Sequence, residues 1–282
     1  MCMVFEKTKE AFQMHPALKN LDPILQTWFS NKFHEPTPPQ RQGWPKIATG
    51  KPTLIAAPTG TGKTLTAFML PFDKLLKKAR RLELEEQTYV LYISPLKALS
   101  NDVHRNIELP LQELHETALK TGEKLTRIRS FVRTGDTSAY RRQQMLKRPP
   151  HILITTPESL YLLLSSKKGA EVLKSIETVI VDEIHALAGN KRGTHLSLSL
   201  ERLDRLSSNK IQRIGISATQ KPLDQIAQFF ASPKNLDVNL EFGINGHVVN
   251  IGHKRELELK IEVPQTDLSA ICSHETWDEI YI

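Results

Sequence analysis

Cysteine is nearly absent: Cys2 and Cys272 are the whole complement of 282 residues. Two thiols so far apart make neither a disulfide framework nor a cysteine-built zinc site, so a reducing cytoplasm is the expected setting. Long hydrophobic runs are missing as well. No stretch approaches the length needed to cross a bilayer, and Met1 to Glu10 hold no apolar segment of signal-peptide length. Repeats and low-complexity tracts are also lacking, which excludes solenoids and fibrous arrays. Acid is the scarcer charge, with 31 Asp and Glu against 38 Lys and Arg, giving a net +7 and a pI near 9.3. That excess suits a polyanionic partner, although solvated lysine faces produce it too. What remains is an ordinary globular composition, long enough for one large domain or two smaller ones.

Within it, Leu54-Ile-Ala-Ala-Pro-Thr-Gly-Thr-Gly-Lys-Thr64 reads as a short strand, a glycine-rich turn and a helix start. Such a turn points successive backbone N–H groups at an anion, and the helix N-terminus adds its partial positive charge. Lys63 can reach the outer phosphates of a nucleotide, and the Thr64 hydroxyl can hold Mg²⁺. The pattern is a P-loop in which Ala57 stands at the first glycine.

Upstream, Leu21, Ile24, Leu25, Trp28 and Phe29 recur at helical spacing. The prolines of Pro36-Thr-Pro-Pro39 predict a stiff extended loop, with Gln40 where a helix can begin. A glutamine amide matches the N6/N7 edge of adenine, although most such residues are simply exposed. Downstream, Leu65, Phe68, Met69 and Phe72 predict the buried stripe of a helix that Pro71 kinks, and Lys77 to Gln87 a solvated end.

Strands are predicted at 89–93, 126–132, 151–155, 178–181 and 211–216, with helical segments between them. Alternation of this kind predicts an α/β fold, an open, mostly parallel sheet with helices on both faces. In such sheets ligands bind beyond the carboxyl ends of the strands. There the chain places Ser94-Pro-Leu-Lys97, Arg133-Thr-Gly-Asp136, Thr156-Pro157, Asp182-Glu-Ile-His185 and Ser217-Ala-Thr219. Weaker strands are predicted at 236–240, 248–251 and 257–263. Asp182-Glu183 behind Val-Ile-Val is a Walker B arrangement: Asp182 can hold Mg²⁺ opposite Thr64, and Glu183 can orient or deprotonate the attacking water.

Taken in order, these motifs resemble the first RecA-like domain of superfamily 2 helicases of the DEAD/DEAH type, from about residue 15 to the end. Alanine at position 57 is common in that group. Residues 36–45, 133–137, 148–160 and above all Asp-Glu-Ile-His-Ala-Leu-Ala-Gly-Asn-Lys-Arg-Gly-Thr-His-Leu (182–196) resemble the large-helicase-related (Lhr) family more closely. The resemblance implies an ATP-driven translocase moving 3′ to 5′ on a single strand, DNA more readily than RNA. It implies adenine recognition by Gln40. Pro58, Thr59, Gly60, Thr61, Gly62, Lys63 and Thr64 would bind the phosphates, with Thr64 and Asp182 on Mg²⁺ and Lys63, Asp182 and Glu183 catalytic. Ser94, Pro95, Lys97, Thr134, Gly135, Thr156 and Pro157 would line the nucleic-acid track, and hydroxyls, amides and one lysine suit phosphates rather than bases. His185, Ser217 and Thr219 would couple hydrolysis to movement.

The expected layout is a lead-in over 1–20, a RecA-like domain over 21–245, and short strands with a linker over 246–282. That linker would lead toward a second RecA-like domain absent from the chain, which in such helicases supplies an arginine finger. The competing expectations are an orphan domain that binds ATP and nucleic acid without useful turnover, an RNA helicase, and a P-loop NTPase unrelated to nucleic acid.

Overall fold

The computed structural model describes residues 16–95, 104–219, 222–237 and 239–252, all within one compact unit, Met1–Gly252. Seven parallel strands form one sheet: β1 (Thr53–Ala56), β2 (Val90–Ile93), β3 (Ser130–Arg133), β4 (Ile152–Thr155), β5 (Thr178–Val181), β6 (Gln212–Ser217) and β7 (His247–Asn250). Their order across the sheet is β3-β4-β2-β5-β6-β1-β7. All residues of β1, β2, β4 and β5 are buried, as expected for strands covered on both faces.

Successive strand residues face opposite sides, so each short apolar run feeds two cores. Ile55, Tyr92, Ile154 and Ile180 pack under α1 (Pro23–Lys32), α2 (Pro38–Ala48), α3 (Lys63–Arg80) and α4 (Leu109–Lys120). Leu54, Leu91, Leu153 and Val179 pack under α5 (Ala139–Lys147), α6 (Pro157–Leu164), α7 (Lys167–Leu173), α8 (Lys191–Leu206) and α9 (Leu223–Phe230). Among the described residues no helix is long and apolar enough to cross a membrane.

Several local expectations change. The prolines at 38 and 39 do not prolong a loop; they open α2, since a first helical turn has N–H groups to spare. Helix α3 runs through Pro71 to Arg80, with Phe68, Met69 and Phe72 buried and Leu65 only half-buried. The 77–87 segment is tied down rather than merely solvated: Lys77 pairs with Asp73, Arg80 with Asp22 and Glu123, and Glu86 with Arg129 and Arg148. Strand β3 begins only at Ser130, because the strand it pairs with, β4, is itself four residues long. Leu236 makes an isolated antiparallel bridge to Ile244 instead of opening a strand. There Asp237 accepts the Asn239 N–H, and turn hydrogen bonds run from Leu240 to Asp237 and from Gly243 to Leu240; an Asx turn outcompetes extension. Strand β7 lies past residue 245 and completes the sheet beside β1, so the compact unit carries through Gly252. The strand expected at 257–263 lies outside the described residues.

Candidate nucleotide and nucleic-acid site

The P-loop leaves β1 through Ala57, whose N–H donates to the Ser217 carbonyl at 3.2 Å. Ala57 is fully buried and keeps a negative φ, so a side chain there costs no strain. The two later glycines are different. Gly60 and Gly62 take φ of +80° and +81°, and at Gly62 a Cβ would come 2.9 Å from Gln40 Nε2. Helix α3 begins directly after Gly62, so its free N–H groups face the loop.

Lys63 is buried and donates its Nζ to the carbonyls of Ala57 (2.6 Å) and Pro58 (2.8 Å). Burial lowers its pKa, while Glu183 and Asp182 oppose that by attraction. Thr61 Oγ1 donates to the Pro58 carbonyl and Thr66 Oγ1 to that of Gly62, closing the loop on itself. Gln40 is buried at the third position of α2, where its Oε1 accepts the Thr37 N–H at 2.9 Å. Its Nε2 is thereby aimed at Gly62.

Across the cleft, Asp182 follows β5. Burial pushes its carboxyl pKa up; a hydrogen bond from the Tyr92 hydroxyl, on neighbouring β2, pulls it down. Its other oxygen accepts the Glu183 N–H at 2.9 Å. Glu183 is held at φ +46°, the left-handed region, an uncommon state for a residue with a side chain. His185 connects it onward: Nε2 stands 3.2 Å from Glu183 Oε2, and Nδ1 accepts the Ala218 N–H at 3.2 Å with Ser217 Oγ at 3.4 Å. That acceptor role assigns the ring proton to Nε2.

A cleft of about 620 Å³ brings together Gln40, Gly62, Lys63, Thr64, Asp182 and Glu183, with Thr59, Gly60 and Ser94 on its wall. A larger concavity of about 1190 Å³, lined by Lys78, Glu86, Lys147, Lys174 and Glu177, holds none of the motif residues. Its acids and bases are mixed, and it is unsuited to a polyanion. No group of three or more His, Cys, Asp or Glu residues gathers around one point among the described residues. Thr64 and Asp182 bring one hydroxyl and one carboxylate to the cleft, a donor set of the kind that serves a cation also held by phosphate oxygens and water.

The residues expected along a nucleic-acid track lead away from the cleft, starting from Ser94 on its wall. Ile93, Thr155 and Arg133 share one register row, so Ser94, Thr156 and Thr134 follow one another along the carboxyl edge of β2, β4 and β3. Thr156 Oγ1 caps α6 by accepting the Ser159 N–H, and Pro157 opens that helix. The Thr134-Gly135 turn is closed by Thr137 Oγ1 and by Arg142, whose Nη2 donates to the Gly135 carbonyl at 2.6 Å. The Pro95 carbonyl accepts from Arg192, which also pairs with Glu158 at 2.7 Å. Among the described residues Thr219 Oγ1 is buried without a partner. Lys97 lies outside the described residues.

Tyr92 and Arg192 were missed in the sequence. A polar aromatic inside an otherwise aliphatic strand was the available signal for Tyr92; nothing local marks Arg192, whose partners lie 34 and 97 residues away.

A family model described as DEAD/DEAH box helicase matches residues 37–226. The ATP-dependent helicase Lhr-Core of Methanocaldococcus jannaschii is 43% identical over 276 residues, covering 98% of this chain and 31% of that protein. Lhr-Core protein 2 of Thermococcus barophilus is 47% identical over 254 residues, covering 88% of this chain and 28% of its own length. The structure of the Mycobacterium smegmatis helicase Lhr bound to ssDNA and AMP-PNP superposes with a TM-score of 0.76 at 40% identity, over 94% of this chain and 32% of that one. The chain thus spans about a third of the length of these relatives.

Proposed function

The chain belongs to the DEAD/DEAH box helicase family, and from that membership we propose that it is the ATP-binding part of an Lhr-type helicase. In this reading it moves 3′ to 5′ along a single strand, DNA in preference to RNA. The observation that carries the reading is the bridge from Glu183 through His185 to Ser217 and Ala218. It ties the carboxylate facing the cleft to the end of β6.

Gln40 would read adenine with the Nε2 donor left free and the second lone pair of Oε1. The P-loop amides and the α3 N-terminus would cradle the phosphates, and Lys63 would exchange two loop carbonyls for phosphate oxygens. Thr64 and Asp182 would hold Mg²⁺, which supplies neutralisation of phosphate charge. Glu183, pinned at its turn with His185 behind it, would orient the attacking water. Ser94, Thr134, Gly135 and Thr156 would touch the strand's phosphates along the sheet edge.

The remaining cation, an arginine finger worth roughly 10³–10⁵ in rate, comes in this reading from a second RecA-like domain. The 282-residue chain is therefore expected to bind Mg²⁺–nucleotide weakly, to lose that binding in Lys63→Ala, and not to unwind duplexes. Titration with a fluorescent ATP analogue tests the first two points, and robust unwinding by the purified chain would sink the third. Direction is tested by comparing 3′-tailed with 5′-tailed duplexes in a form that includes the second domain.

A further inference from the structure

Arg133 ends β3, the edge strand of the sheet. Its carbonyl accepts the Thr155 hydroxyl at 2.8 Å, while its guanidinium is left incompletely satisfied. Among the described residues Arg133 Nη1 is buried without a partner, and so is Nε of Arg142, on α5. Burial and the neighbouring Arg142 charge both push the Arg133 pKa below its ordinary value. Among the other arginines, Arg213 meets Glu201 and Asp204, Arg80 meets Asp22 and Glu123, and Arg129 meets Glu86.

The two like charges lie close enough to repel, and each guanidinium keeps one buried nitrogen for which the described residues offer no acceptor. Unpaired buried donors and like charges both cost free energy, and an anion would remove both costs. A planar guanidinium fork fits a phosphate oxyanion in particular. The position selects which phosphate. Arg133 directly precedes Thr134 and Gly135, and its row continues through Thr155 to Ile93 along the carboxyl edge.

We propose that Arg133 and Arg142 form an oxyanion site for one backbone phosphodiester of a single strand, extending the contact row to the outer edge of the sheet. Arg133 makes the contact. Arg142 shares the charge and holds the Thr134-Gly135 turn through its two carbonyl hydrogen bonds. The proposal rests on the nucleic-acid reading given above.

The test is fluorescence anisotropy of labelled single-stranded oligonucleotides with the 282-residue chain across a salt series. Arg133→Met is expected to weaken binding roughly threefold to tenfold, alike for every sequence, and to lower the slope of log K against log salt by about 0.7, one single-strand phosphate. Its melting temperature should equal or exceed the parent's, because a like-charge pair has been relieved. Arg133→Lys should recover part of the affinity. Parental affinity and slope in Arg133→Met overturn the proposal, and so does a lowered melting temperature, which would make Arg133 a structural prop. Millimolar inorganic phosphate at matched ionic strength is the second arm. If it stabilises the parent but not Arg133→Met, the site takes a free oxyanion and the strand proposal falls. A parent that binds no oligonucleotide overturns the nucleic-acid reading itself, together with this inference; a parent that binds and a variant that matches it overturn the inference alone.

Discussion

Tyr92 gives its phenolic hydrogen to Oδ2 of Asp182, joining the middle of the sheet to the carboxylate beyond β5. Both sit on the α3 side, where the Tyr92 ring also meets Phe68 with centroids 5.3 Å apart. Asp182 is thus oriented by a hydrogen bond from the neighbouring strand, and Tyr92 itself lines the cleft beside it. Outer partners of this kind tune metal affinity by about 10–100-fold. Tyr92→Phe keeps the ring and loses the hydrogen bond. It is expected to weaken Mg²⁺-dependent nucleotide binding about tenfold while leaving Mg²⁺-independent binding unchanged, which a titration with and without Mg²⁺ separates.

His185→Ala removes the bridge from Glu183 to Ala218. Nucleotide affinity should stay within about twofold, because no P-loop group is touched. Strand-stimulated hydrolysis, measured in a form with its second domain, should fall by about 10²-fold, the low end of what positioned acid–base groups contribute. Equal losses in binding and in stimulation would argue against a coupling role.

Gly62→Ala meets two obstacles, a φ of +81° and the Gln40 amide at 2.9 Å. Gly50→Ala meets only the first: φ is +75° with open space around it. The left-handed conformation costs roughly 1–2 kcal/mol with a side chain. Gly50→Ala should lose about that much by denaturant unfolding. Gly62→Ala should lose more, and nucleotide binding with it.

His151 supplies a pH dependence. It is buried, its Nδ1 accepts the Arg129 N–H at 3.0 Å, and burial together with the Arg129 charge drops its pKa from 6.5 to about 4. Arg148 pushes the same way, while Glu86 opposes. The unfolded chain takes up a proton near pH 6.5 and the folded one only near 4. Stability is therefore full above 6.5 and declines as pH falls toward 4, by roughly 3 kcal/mol in all. His151→Asn, which offers an oxygen acceptor that does not titrate, should flatten that decline in melting curves taken between pH 7 and pH 4.

The parallel sheet was legible because strands buried on both faces carry near-continuous apolar runs, as in Val90–Ile93 and in residues 179–181 of β5. The glycine-rich turn after β1 and the acidic pair after β5 were legible because both stand at fixed local spacing behind short apolar runs. Local signals failed where two conformations compete. The prolines at 38 and 39 suit a helix start as well as an extended loop, and only packing over the P-loop decides. Leu236 and Leu240 look like strand residues, but Asp237 and Gly243 close a turn between them.

By itself, then, the sequence determined the fold class, the approximate place of the sheet's strands and the glycine-rich turn between β1 and α3, all set by periodicity and by contacts within a few residues. Only the tertiary structure decided that Tyr92 holds Asp182, that His185 joins Glu183 to Ala218, that Arg192 ties Pro95 to Glu158, and that Arg133 and Arg142 each keep a buried guanidinium nitrogen unpaired among the described residues. Each of these relationships depends on where strands or loops meet, and on how deeply burial strips them of water. Strand order places β2 beside β5 although 84 residues lie between Ile93 and Thr178, and no local pattern carries that adjacency.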